Sequence, residues 1–297
     1  MNLKANYQKF KKHLKTGGLF YALWRGIKYF VFLIKLQRDR FKQSPKNTVI
    51  KGRLKIVCGK GGINIFWNDL ETTKGPGLNI GINTLGLWTD STKADWHILE
   101  RGIDYFKVKI IFKDLPLNQI WSIKLKEEDQ IIWQIDTEIE EWLRIDEFRI
   151  VCLVNFRYKT WINNYQQADF PRLDDNWHDL CLENSFASLI GVRFLAEGEF
   201  LPSFTIETQN NPFPFIQNPP LNNNSHIIGF RFILPEEKKE FFPGHYHTFY
   251  GTINLYEDDY PLDKKVEDLR RFSVDEMIKQ RINLNPMIWL LLFKGGF

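Results

Sequence analysis

The stretch WQIDTEIEEW, residues 133–142, sets four carboxylates between two tryptophans. Side chains alternate along a strand, so Asp136, Glu138 and Glu140 project to one face with Gln134, Trp142 and Arg144. Ile131, Trp133, Ile135, Thr137, Ile139, Leu143 and Ile145 take the other face, with Glu141 the exception among them. Successive acids on one face stand about 7 Å apart, near the carboxyl separations used in glycoside hydrolysis. Close acids also raise one another's pKa, as a general acid requires. An antiparallel sheet also leaves one face to water, and Lys or Arg on a neighbouring strand neutralises such a row through cross-strand pairs. Asp136, Glu138 and Glu140 are therefore candidates for catalysis, for ligand binding and for a solvated face. Trp142, on the polar side, is either part of a bend or a platform for the apolar face of a sugar ring.

Other residues offer fewer combinations. His178, within DDNWHDL, is a candidate acid–base group in what reads as a loop, and the carboxylates around it lack the regular spacing of a calcium loop. His245 and His247 in HYH share a strand face, a spacing that can hold a metal with Asp258 or Asp259. No further His or Cys stands at ligand spacing, so hydrogen-bonding or ligand-binding histidines are expected and no metal site or cofactor. In NFRYKTW, Arg157 and Trp161 form a candidate grip for a sugar hydroxyl or carboxylate, the alternative being a strand with one basic face. The glycines of KGGINIFWN and KGPGLNIG do not form a phosphate loop, and neither GxSxG nor HExxH occurs.

The elements that must position these residues read as β. After the polar break QSPKN, runs such as LKIVCG, INIFWN, YFKVKIIFKD, FRIVCLVNFRYKTW, IIGFRFIL and TFYGTINLY follow one another, punctuated by turn residues. No helical pattern alternates with them, which excludes a βαβ parallel sheet and predicts an antiparallel β-sandwich over residues 47–262. Residues 209–225, QNNPFPFIQNPPLNNNS, are expected to be irregular because prolines and asparagines sustain a ladder poorly. The 25 Phe, 10 Trp and 10 Tyr suit wide β-surfaces, and sugar or membrane contact as well. Cys58, Cys152 and Cys181 are odd in number and sit among apolar residues, so reduced core thiols in a cytosol-facing protein are expected.

The chain's ends differ from its middle. Residues 1–46 hold 12 Lys/Arg and a single acid, Asp39, for a net charge of +11, which leaves −7 on the remainder. Within residues 19–36, Leu19, Leu23, Ile27, Phe30 and Ile34 fall on one side of a helix and Arg25, Lys28 and Lys35 on the other. Trp24 and Phe30 are among the aromatics of a segment that would lie in an anionic membrane interface, or pack on the β-body instead. Its cations make a spanning helix or a cleavable signal peptide a poor fit, and its interleaved apolar residues are unlike a nucleic-acid-binding arm. Residues 263–297 are expected to form a short helical, apolar tail that opens on the capping-box pattern SVDE at 273–276.

The runs LKIVCGKGGINIFWN, WSIKLKEEDQIIWQIDTEIEE and FFPGHYHTFYGTINL together resemble the galactose mutarotase-like β-supersandwich, over roughly residues 47–262. The resemblance implies long twisted strands and a broad concave sheet that binds sugars, in epimerases, in parts of lyases and glycosidases, and in non-catalytic modules. It also implies a mid-domain histidine and a late-strand glutamate as acid and base. His178 reads as a loop residue and Glu257 follows its strand, so neither is carried over. The expected function is therefore non-catalytic carbohydrate recognition near the inner face of the cytoplasmic membrane, in bacterial surface polysaccharide synthesis or export. The alternatives are a sugar-active enzyme using carboxylates on the concave face, of epimerase, hydrolase or lyase type, and a protein-interaction scaffold.

Overall fold

A computed structural model describes residues 45–181, 186–194, 201–209, 212–220, 224–257 and 261–270. Within them lie two large antiparallel sheets and one short ribbon. The first sheet runs in the order Thr48–Lys51 (β1), Leu54–Gly59 (β2), Gly62–Trp67 (β3), Thr73–Thr84 (β5), Glu147–Asn155 (β12), Ser225–Ile233 (β19), Phe213–Asn218 (β18) and His178–Asp179 (β15). Leu70–Glu71 (β4) joins β3, and Leu87–Asp90 (β6) joins β5, which makes ten strands. The second sheet has nine: Gln167–Asp169 (β14), Thr160–Asn163 (β13), Leu189–Arg193 (β16), Ser203–Thr208 (β17), Gly244–Tyr256 (β21), Gln130–Ile139 (β10), Leu117–Leu125 (β9), Tyr105–Ile111 (β8) and Asp95–Arg101 (β7). Leu143–Arg144 (β11) and Glu240–Phe241 (β20) form the ribbon. The protein is mainly β, as its alternating runs predict.

The sheets pack face to face over one apolar core. Leu54, Ile56, Ile63, Ile65, Leu78, Ile80, Ile150 and Phe230 come from the first sheet, and Phe106, Val108, Trp121, Ile123, Trp133, Ile135, Phe249 and Ile253 from the second, all 0 % exposed. Rings chain along the second sheet beneath this layer, with centroids 5.1 Å apart for Trp96–Trp121 and Trp121–Trp133 and 5.2 Å for Trp133–Phe249. Edge and tilted contacts of this kind add about 0.5–1.5 kcal/mol each to the burial itself. Cys58, Cys152 and Cys181 are all buried, and none is in a disulfide.

A helix over residues 261–270 covers part of the second sheet's outer face. Leu262 and Val266 pack on Ile162 of β13 and Leu189 of β16, and Lys265 pairs with Glu207 of β17. The outer face of β7 to β10 carries no such cover among the described residues. At the edge, β7 bulges between Ile98 and Glu100, and Leu99 is the extra residue. No helix of the described residues is long and apolar enough to cross a membrane. The arm, with Trp24, Arg25, Lys28, Phe30 and Lys35, lies outside the described residues, as does the tail from residue 271.

The structure corrects three expectations from sequence. Residues 209–225 are not irregular throughout, because β18 lies inside them and pairs with β19. Pro214 is tolerated there since β15 pairs only with Asn218 and Gln217, so no ladder bond is required of the missing N–H. His178 is on the two-residue strand β15 and not in a loop, with Nε2 2.9 Å from Asp174 Oδ2. Trp161 is 4 % exposed and lies in the core, where its ring offers no face to a ligand.

Candidate functional site

Burial along β10 alternates residue by residue, with Ile131, Trp133, Ile135, Thr137 and Ile139 buried and Gln134, Asp136 and Glu138 half-buried on the outer face. Two neighbouring strands set what these polar residues meet. On β9 the residues opposite Gln134, Asp136 and Glu138 are Ser122, Ile120 and Asn118. On β21 they are Tyr250, His247 and His245. The basic residues Lys107 and Lys109 stand one strand further away on β8, opposite Ser122 and Ile120. Direct cross-strand neutralisation of the acids by Lys or Arg, one of the sequence alternatives, is therefore not what β9 and β21 supply.

A bulge makes the histidines available. Ile135 lies opposite Phe249 and Asp136 opposite His247, so Thr248 is the extra residue on β21. Strict alternation from the inward Phe249 would send His247 inward as well. The inserted residue reverses this, and His245 and His247 both stand exposed. The Thr248 hydroxyl meets that of Thr137 at 2.6 Å, which satisfies both at the bulge.

Asp136 is held at both oxygens. Its Oδ1 lies 2.9 Å from His247 Nδ1, and its Oδ2 accepts from Gln134 Nε2 at 2.9 Å. Asn118 Nδ2 donates to Glu140 Oε1, which ties the end of the acid row to β9. The side chains of Asp136 and His247 remain 43 % and 54 % exposed, so the pair faces outward from an open sheet. Trp142 lies just past the row in the bend before β11, 53 % exposed. Phe242, next to β20, is 61 % exposed, and the two rings flank the Leu143–Phe241 pair.

The structure thus brings Asp136, Glu138, Glu140, His245 and His247 together on adjoining strands, with Trp142 at the end of the row. It separates the others from them. His178 sits at the edge of the opposite sheet, Arg157 occupies the turn after β12 with its guanidinium 5.7 Å from the Phe194 ring, and Trp161 is internal. Gln134 appears in the sequence pattern as a polar neighbour, and its role as a clamp on Asp136 follows only from the side-chain geometry. Among the described residues no group of three or more His, Cys, Asp and Glu is placed to hold a metal ion. A cavity of about 660 Å³ opens at the other end of β10, lined by Lys51, Arg53, Trp67, Glu128 and Tyr256 among others, and does not include the acid row.

Chemically, the outer face offers carboxylate acceptors, imidazole and amide groups and one exposed indole, all on strands. Such a surface can hydrogen-bond a polyhydroxylated ligand along its length.

No family model matches the sequence, and no curated protein matches it. Among solved structures, the chain is similar to a proposed aldose 1-epimerase from Escherichia coli K12, at 10 % identity over 70 % of this chain and 97 % of that one, with a TM-score of 0.47. It is similar to the α-N-acetylgalactosaminidase of Bifidobacterium bifidum, at 9 % identity over 70 % of this chain and 35 % of that one, with a TM-score of 0.49. It is also similar to an α-galactosidase of Geobacillus stearothermophilus, at 7 % identity, 70 % and 40 % coverage and a TM-score of 0.40. The chain spans nearly the whole of the first and well under half of the other two. These likenesses concern the β-sandwich architecture.

Proposed function

We propose that this protein binds carbohydrate without chemistry, through the outer face of β9, β10 and β21. The observation that carries the reading is Asp136, fixed by His247 and Gln134 in an outward-facing row with Glu138 and His245, with the Trp142 ring at the row's end. Oriented acceptors and donors match sugar hydroxyls, and an exposed indole stacks on the apolar face of a pyranose ring. Because the row is pre-formed on strands, little ordering entropy is lost when a ligand docks. A place in bacterial surface polysaccharide synthesis or export belongs to the same proposal, with the +11 arm of residues 1–46 meeting an anionic membrane.

A glycan array probed with the full chain tests the reading. The expected result is binding to a subset of glycans, weakened in both Asp136→Asn and Trp142→Ala. Absence of binding across the array, or binding indifferent to both substitutions, overturns it, and turnover of a bound glycan would replace it with the enzymatic alternative. Co-sedimentation of the full chain with anionic liposomes, compared with a chain lacking residues 1–46, tests the arm separately.

A further inference from the structure

The outer face of the ten-stranded sheet carries a second, unrelated cluster. Arg149 of β12 and Arg231 of β19 are direct cross-strand neighbours, an arrangement that is repulsive unless an acid stands between them. Glu147 is that acid, with Oε1 accepting from Arg149 Nε at 2.6 Å and from Arg231 Nε at 2.8 Å, and Oε2 from Arg231 Nη2 at 3.1 Å. Burial pushes the Glu147 carboxyl up, and the bonds from Arg231 and Arg149 outweigh that and hold it below its ordinary range. The triad therefore keeps one net positive charge.

That charge is directed by aromatic rings. The Arg149 guanidinium carbon lies 4.2 Å from the Trp88 ring centroid and 5.3 Å from that of Phe215. Trp88 lies beside Gly81, the neighbour of Arg149 on β5, where a Cβ would meet the indole at an ordinary contact distance of 3.4 Å. With Nε on Glu147, the Nη1 and Nη2 groups of Arg149 donate no hydrogen bond among the described residues. Arg149 borders a cavity of about 130 Å³, lined also by Arg231, Phe215, Gln217 and Asp179 among others. At roughly 30 Å³ per water, this is space for about four waters, or for one small oxyanion.

We propose that this cavity binds the carboxylate of an acidic, hydroxylated ligand of the uronic-acid class. The planar fork of a guanidinium matches the two oxygens of a carboxylate. Asp179 and Gln217, bonded to each other at the rim, supply an acceptor and an amide for ligand hydroxyls. The Asp179 charge also opposes a dianion, which favours a singly charged carboxylate over phosphate. Trp88, 42 % exposed, does not line the cavity and acts through Arg149, whose guanidinium it holds by stacking.

Calorimetric titration of the full chain at fixed ionic strength with D-glucuronate, D-glucose and inorganic phosphate tests the assignment. Glucuronate is expected to bind at one site, with glucose and phosphate at least tenfold weaker. Arg149→Lys, which keeps the charge and loses the fork, is expected to weaken glucuronate at least tenfold, and Trp88→Ala, at an exposed ring, to weaken it while the fold is retained. Asp136→Asn is expected to leave glucuronate binding unchanged, so failure of the other sheet's face and failure of this cavity are told apart. Absence of glucuronate binding, equal affinity for phosphate, or indifference to both Arg149→Lys and Trp88→Ala overturns the proposal.

Discussion

His247 Nδ1 stands 2.9 Å from Asp136 Oδ1 across a bulge, and the bond is there because one extra residue on β21 turns the imidazole outward. The pair is about half exposed, so its worth to the fold is about 1 kcal/mol or less. Asp136→Asn is therefore expected to shift the midpoint of thermal unfolding by only a few degrees, while reducing glycan affinity about tenfold by removing a charged acceptor. Paired unfolding and binding measurements on that variant check both halves, and a large loss of stability would show the pair to be structural.

Trp142 should separate binding from folding still more cleanly. At 53 % exposure its ring contributes little to the core, and removing it takes away one stacking surface. Trp142→Ala is expected to weaken glycan binding about five- to tenfold. Trp133→Ala, whose ring is 0 % exposed, is expected to cost about 3–5 kcal/mol in denaturant unfolding.

His226 predicts an acid-sensitive limb in the stability profile. Burial pushes its imidazole down to about 4, against the opposing pull of the Phe156 and Tyr158 backbone. The ring stacks on Phe170 with centroids 3.8 Å apart. The folded state thus refuses a proton that the unfolded chain accepts near its ordinary 6.5, so stability is full above pH 6.5 and falls as pH drops towards 4. Between pH 7.5 and 5 the loss is about 2 kcal/mol. Urea unfolding at the two pH values reads it, and His226→Asn should flatten the difference.

Thiol chemistry supplies a further check. Burial pushes the Cys58 thiol up to about 12 and raises that of Cys152 further. The thiolate is the reactive form, so neither should label with an aromatic disulfide reagent at pH 8 until denaturant is added. Rapid labelling of either in the native protein would contradict the packing described for β2 and β12.

The two faces of β10 were legible because its burial has a strict period of two, and one glance at alternation separates Trp133 from Asp136. The same logic fails at Trp161. All four residues of β13 are buried, since the core covers one face and the helix over 261–270 covers the other, so alternation carries no signal there. The outward placement of His245 and His247 was readable from HYH, whereas the bulge at Thr248 that produces it leaves no mark in composition. Pro214 misled for a related reason. Proline forbids a ladder bond only where a neighbouring strand asks for one, and strand lengths are not written in the local sequence. The Arg149 cluster was hidden because β12 pairs with β5 on one side and with β19 on the other, and these three strands are far apart along the chain.

The bulge at Leu99 bears on how the molecule behaves in company. An outside chain adding to β7 would find an uninterrupted template only between Asp95 and Ile98 before the backbone falls out of step. The β7 edge of the nine-stranded sheet is therefore self-limiting: it resists growth by recruitment of further strands, even though Ile98 and Leu99 are exposed there.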